Sequence, residues 1–252
     1  MNKLLPYNYV MDRTASSMDI QASYGQALDV LQSTCIADKN VVHPRFTKSN
    51  GSEIYRPTSF KEIIELELND FETQYDVADG HKRSIDERLT LFKLSHNSCT
   101  AIVNKKKSTE FMIIPISKQL IELKKDFNHP LINVNYETLK KSVDGVVLDS
   151  SKGQYNMDVD KDVSIGLWSP LLDGDNVLSK EHADVVYTHF KNGRGFYVYK
   201  NTVQDEFRAL YVRPVGYRFD SFDVDPFSLD GEVRFLIITP QKEISRKTQV
   251  KS

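Results

Sequence analysis

Residues 193–240 constrain this chain more than any other stretch, because they offer little besides short strand-forming runs and tight turns. Phe196-Tyr-Val-Tyr199 is aromatic and β-branched, which suits a pleated, half-buried surface, and Asn192-Gly193-Arg194-Gly195 precedes it. Residues 207–213 alternate, with Phe207, Ala209 and Tyr211 on one face and Arg208, Leu210 and Val212 on the other. Both faces are mixed, so this strand is expected to be covered on both sides. Pro214 has no amide donor and interrupts pairing. Val215, Tyr217 and Phe219 resume a period of two, and Asp230-Gly231 between apolar runs is a hairpin signal. Residues 232–239 close the block, with Val233, Phe235 and Ile237 facing one way and Leu236 and Ile238 the other. Strands this close in sequence commonly pair with one another antiparallel, so the expected arrangement is a meander of about four strands.

Helical spacing dominates upstream. Ile20, Tyr24, Ala27, Leu28 and Leu31 share one face of a helix predicted near residues 17–32, with Ser16 or Ser17 as its cap. Ser59-Phe-Lys-Glu62 has the spacing of a capping box, yet Ile64, Leu66 and Leu68 alternate with Glu65 and Glu67. A short helix running into a strand is the reading there. Residues 76–87 read as a charged loop around Gly80, and residues 88–95 alternate like a strand. Residues 100–104 and 109–116 form a predicted hairpin joined by Lys105-Lys-Lys-Ser108. Ser117 opens a helix in which Ile116, Leu120, Leu123 and Phe127 share a face. Residues 136–143 form another helix, and Gly145-Val-Val-Leu148 a buried strand. Ser164–Trp168 reads as a strand and residues 171–176 as a turn. Ser179 is the expected cap of a last helix, lined by Ala183, Val186, Tyr187 and Phe190. Helices and strands without regular alternation give an α+β class, with an antiparallel β-rich C-terminal half and three or four short helices.

A chain of 252 residues with 40% hydrophobic and 27% charged residues has ample material for a core. The reading divides it into an N-terminal arm (1–16), a globular α+β domain (17–241, with a sub-boundary near 150–160) and a basic tail (242–252). The arm shows no periodicity, and either packs on its own domain or docks on a neighbouring subunit. Cys35 and Cys99 are too few for a disulfide framework and read as free thiols in a reducing compartment. No stretch reaches the ~18 apolar residues of a membrane span, and the N-terminus has no secretory apolar region. A cytoplasmic or other intracellular location is the expectation.

The motifs of common chemistries are incomplete. Gly193-Arg-Gly195 is a fragment of a phosphate loop and precedes a strand rather than opening a helix. Asp158-Val-Asp-Lys-Asp162 has the first half of a calcium-loop pattern, but Val163 stands where glycine is needed and Ser169 where a bidentate glutamate is needed. His96-x-x-Cys99 supplies two zinc ligands where a structural site takes four. His182 and His189, seven apart, read as surface or packing histidines. No nucleophile elbow is present. No cofactor and no catalytic residue is indicated.

The net charge of −2 argues against a surface that is wholly a nucleic-acid footprint. A local one remains: Lys105, Lys106 and Lys107 at the hairpin tip, with Arg246 and Lys247 in the tail. By elimination the sequence points to a structural or interaction protein, a self-associating subunit of a larger assembly such as a viral or phage particle. A nucleic-acid-binding module using the tip and tail is the alternative. A metal-dependent hydrolase or nuclease is a further one, built from scattered acids such as Asp220, Asp223, Asp225, Asp230 and Glu232.

Overall fold

The structure, a computed structural model of the chain, describes residues 7–12, 20–38, 41–76, 80–122, 134–149, 168–190, 195–196, 202–212, 215, 221–222 and 233–238. The tail at 242–252 therefore lies outside the described residues, as do the 158–162 acidic run and 164–167.

The centre is a four-stranded antiparallel sheet in the order β6-β5-β4-β8. Its strands are β4 (His96–Asn104), β5 (Glu110–Ile114), β6 (Val146–Asp149) and β8 (Glu206–Val212). All nine residues of β4 are buried. Alternation decides which layer each side chain joins. Ile102, Phe111, Ile113, Leu210 and Val212 enter one core, and Ala101, Val103, Met112, Ile114 and Phe207 enter the other. A sheet apolar on both faces needs a cover on each. On the first face lie α2 (Phe60–Glu72), a 3₁₀ turn (Leu91–Lys93), α6 (168–171) and α7 (Asn176–His189). On the second lie α1 (Ile20–Ala37) and α5 (Tyr136–Ser142).

The chain ends frame this sandwich. β1 (Tyr7–Asp12) pairs antiparallel with β10 (Val233–Ile238), from Tyr7↔Ile238 to Asp12↔Val233. β10 feeds both cores, Leu236 and Ile238 into the first and Phe235 and Ile237 into the second. A small hairpin, β2 (Arg45–Thr47) with β3 (Glu53–Tyr55), sits beside α1. The Gln32 side chain accepts from the Tyr55 N–H at 3.0 Å and donates back to the Tyr55 carbonyl, doing for the β3 edge what a neighbouring strand would do. Two remaining helical turns, α3 (Ile85–Arg88) and α4 (Lys118–Ile121), and the short parallel pair β7 (Gly195–Phe196) and β9 (Ser221–Phe222) complete the described elements.

The α+β class with antiparallel sheets agrees with the sequence. So do Tyr24, Ala27, Leu28 and Leu31 on the buried face of α1, the β4–β5 hairpin, and helix α5. Among the described residues, the C-terminal strands pair differently from a meander. β8 pairs with β4, β10 with β1, and β7 with β9 in parallel. A strand apolar on both faces gains most beside the fully buried β4, and β10 finds its partner at the other end of the chain. Among the described residues the helices outnumber three or four, and α1 reaches 18 residues.

Several local expectations are corrected. α2 runs unbroken to Glu72 rather than turning into a strand. Its apparent alternation arises because Ile63, Ile64, Leu66, Glu67, Leu68 and Asp70 are all buried, so the helix is covered nearly all round. Residues 88–95 hold the end of α3 and the 3₁₀ turn, not a strand. Ser84 and Glu87 close a capping box that starts α3 inside the expected charged loop. Finally, α7 begins at Asn176 with Asp175 as its cap, accepting from the Leu178 N–H, and Ser179 lies buried within the helix. β6 is the sheet's edge and is half-exposed rather than buried. Within the expected arm, Tyr7–Asp12 is strand β1.

Candidate functional site

Polar groups converge where β4 departs from regular pairing. Between Asn97↔Tyr211 and Ala101↔Ala209, Ser98, Cys99 and Thr100 face Leu210 alone. Such a bulge turns backbone groups out of the ladder and frees them for other partners. The Cys99 N–H donates to the Thr58 carbonyl at 3.0 Å, and the Cys99 carbonyl accepts from the Ser117 N–H at 2.8 Å. The Tyr24 hydroxyl donates to the Ser98 carbonyl at 2.7 Å. Ser98 Oγ donates to the Leu210 carbonyl at 2.7 Å. Thr100 Oγ1 donates to the Pro115 carbonyl and accepts from the Phe60 N–H, both at 2.8 Å. One bulge thus ties together α1, α2, β8 and the entry to α4.

Beside it lies a part-buried ion pair. Arg56 grips Glu62 with both arms, Nη1 to Oε2 at 2.8 Å and Nη2 to Oε1 at 2.7 Å. Nη1 also donates to the Pro57 carbonyl at 3.0 Å and approaches Cys99 Sγ at 3.6 Å. Glu62 accepts from the Ser59 N–H at 2.7 Å, so the capping box legible in the sequence is half of a larger network. Burial pushes the Cys99 thiol up to about 12 against the pull of Arg56. Burial, and then Cys99, also raise the Tyr24 hydroxyl. His43, close to Arg56 and Glu62, is drawn down by burial to about 4. A protonated thiol with no solvent contact is not a nucleophile. This cluster of cysteine, histidine, arginine and glutamate acts as a brace.

A buried pair links α2 to α7, His182 Nε2 to Glu67 Oε2 at 2.9 Å. The imidazole stacks on Phe92 (5.5 Å, 14°) and meets the edge of Trp168 at 4.9 Å. His182 is therefore a packing histidine with a carboxylate partner 115 residues upstream. His189 packs its ring near Phe71. His96 and Cys99 have separate partners, since His96 Nε2 lies 3.3 Å from the Leu91 carbonyl. Among the described residues no three His, Cys, Asp or Glu side chains are grouped to hold a metal ion. The acids at 220, 223, 225, 230 and 232 lie outside the described residues.

The basic turn divides its lysines. Lys105 is already paired at the surface, 2.7 Å from Glu137 and 3.7 Å from Glu110, with its ammonium 5.5 Å from the Tyr136 ring centre. Lys140 meets the same Glu110 at 3.3 Å and the same ring at 5.8 Å. Lys106 and Lys107 are exposed and form no ion pair among the described residues. The turn itself is pinned. The Lys106 N–H donates to Asp205 Oδ1 and the Tyr136 N–H to Asp205 Oδ2, each at 2.8 Å. Lys107 adopts a positive φ of 49° and donates its N–H to the Thr202 carbonyl. Arg246 and Lys247 lie outside the described residues. Lys140, Glu137 and Asp205 escaped the sequence reading, because nothing local ties them to residues 105–107.

The chain is similar in fold to a solved structure described as "Accommodation of massive sequence variation in Nanoarchaeota by the C-type lectin fold". The TM-score is 0.54 at 10% sequence identity, over 92% of this chain and 97% of the other. No family model matches the sequence, and no curated protein matches it. What carries over at this identity is the fold. No described helix is long and apolar enough to cross a membrane.

Proposed function

We propose that this chain is an interaction module and a subunit of a larger assembly, with copies of itself as the first partner. The observation that carries the reading is where its reactive groups are placed. Cys99, Arg56, Glu62, Glu67 and His182 are turned inward and spent on bracing the frame. A frame braced from inside leaves its outer surface at liberty to change for recognition. The fold likeness supports this, because the Nanoarchaeota protein is described as accommodating massive sequence variation on such a frame. Exposed Lys106 and Lys107 favour a second reading, a nucleic-acid contact through the phosphate backbone.

One experiment tests both. Light scattering is read on the purified chain after size exclusion, with protein and nucleic-acid absorbance recorded together. A discrete multimer free of nucleic acid is the expected result. A monomer at every concentration overturns self-assembly. A nucleic-acid signal that vanishes in high salt moves the weight to the second reading, in which Lys106→Ala with Lys107→Ala weakens binding on all sequences alike.

A further inference from the structure

Residues 41–43 lie across the end of β10. The Val42 N–H donates to the Ile238 carbonyl at 3.0 Å. The Ile238 N–H in turn donates to Nδ1 of His43 at 3.3 Å. Both backbone groups of the last β10 residue are thus engaged from one side, as in an antiparallel ladder, but an imidazole nitrogen stands where a strand would offer a carbonyl. Tyr7, the first residue of β1, is the Cα partner of Ile238 on the other side.

An acceptor nitrogen carries no proton, so this bond exists only while the imidazole is neutral with its proton on Nε2. A carbonyl would be indifferent to pH in this range; an imidazole is not. A second proton would make Nδ1 a donor pointed at a donor. His43 is 3% exposed, too deep for bulk water to relieve that clash.

We propose that His43 is an acid-sensitive latch on the C-terminal strand: its protonation releases the Ile238 N–H and lets residues 41–43 part from the end of β10. The proposal stands apart from the interaction reading.

Among the described residues, the charged groups that act on the imidazole are Arg56 and Glu62. Burial is the largest influence and lowers the imidazole from 6.5 to about 4, and the Arg56 charge lowers it further. The Arg56 backbone and the Glu62 charge oppose this. Burial raises the Glu62 carboxyl, but Arg56 and Ser59 outweigh it and the net shift is down. Glu62 therefore stays ionised over most of the relevant range. The opened latch takes up its proton near 6.5 and the closed one only near 4. The latch is at full strength above the first value, weakens as pH falls between the two, and changes no further below the second. Across that window the opening equilibrium shifts on the order of a hundredfold.

Hydrogen exchange on the full chain tests this, with protection normalised for the intrinsic pH dependence of exchange. The Ile238 amide is followed alongside that of Ile102 in β4, which reports global unfolding. Protection at Ile238 is expected to fall on acidification while Ile102 holds. In His43→Gln, whose amide oxygen accepts but does not titrate, the Ile238 profile is expected to flatten. An equal fall in wild type and His43→Gln overturns the latch. Should His43→Gln not fold, the wild-type imidazole is titrated by NMR against Ile238 protection. Coincident transitions support the latch, and an imidazole that titrates without moving Ile238 overturns it.

Discussion

Arg56 and Glu62 would suit an open cleft, but here they hold a wall. Their two parallel hydrogen bonds satisfy charges that burial would otherwise penalise heavily. Arg56→Met is expected to cost about 1–3 kcal/mol, because it leaves the half-buried Glu62 carboxylate without its charged partner. Adding Glu62→Gln should recover part of that loss, and a double-mutant cycle on denaturant midpoints reads the coupling. Additive effects would mean the pair is not a unit. Only one strand of this network was legible in the sequence. The Ser59–Glu62 cap spans three residues and announces itself. The contact of Arg56 with Cys99 spans 43 residues and that of His43 with Ile238 spans 195, distances over which no local pattern speaks. His96-x-x-Cys99 misdirects for the opposite reason: the two are near in sequence, yet the structure gives them separate partners.

At the scale of elements, periodicity told which side chains share a face but not which neighbour that face would meet. The alternation in residues 207–212 forecast a strand covered on both sides, and β8 is one, but its partner β4 lies about a hundred residues upstream. The β4–β5 hairpin was legible because its turn is only a few residues long. α2 was half legible, since a helix buried nearly all round loses the one-sided stripe that sequence reading relies on. Gly145 carries a constraint of this scale at the start of β6. A Cβ there would stand 2.8 Å from Met112 Sδ, 2.9 Å from its Cγ and 3.1 Å from the Ile113 carbonyl oxygen. Gly145→Ala is therefore expected to push β6 off β5 and lower stability by roughly 1–3 kcal/mol in a urea titration. A neutral result would show that Met112 yields freely.

For the molecule as a whole, the terminal strands belong to the frame. Read from sequence, residues 1–16 were an aperiodic arm that either packed at home or reached outward, and the pairing of Tyr7–Asp12 with β10 shows a home partner. Removing residues 1–12 is expected to lower the melting temperature followed by circular dichroism and to bare a strand edge that invites aggregation. An unchanged melt would mean that β1 contributes nothing to the frame. The same pairing sets how the molecule would bear tension. Tyr7 lies opposite Ile238, so the chain enters and leaves the frame side by side. A pull applied at these two points would not load the ribbon's hydrogen bonds in parallel, as shear does. It would open them one after another, beginning at the tooth that His43 guards. A subunit tethered by both ends would peel like a zipper at modest force, while the β4-centred sheet, out of the line of load, stayed whole.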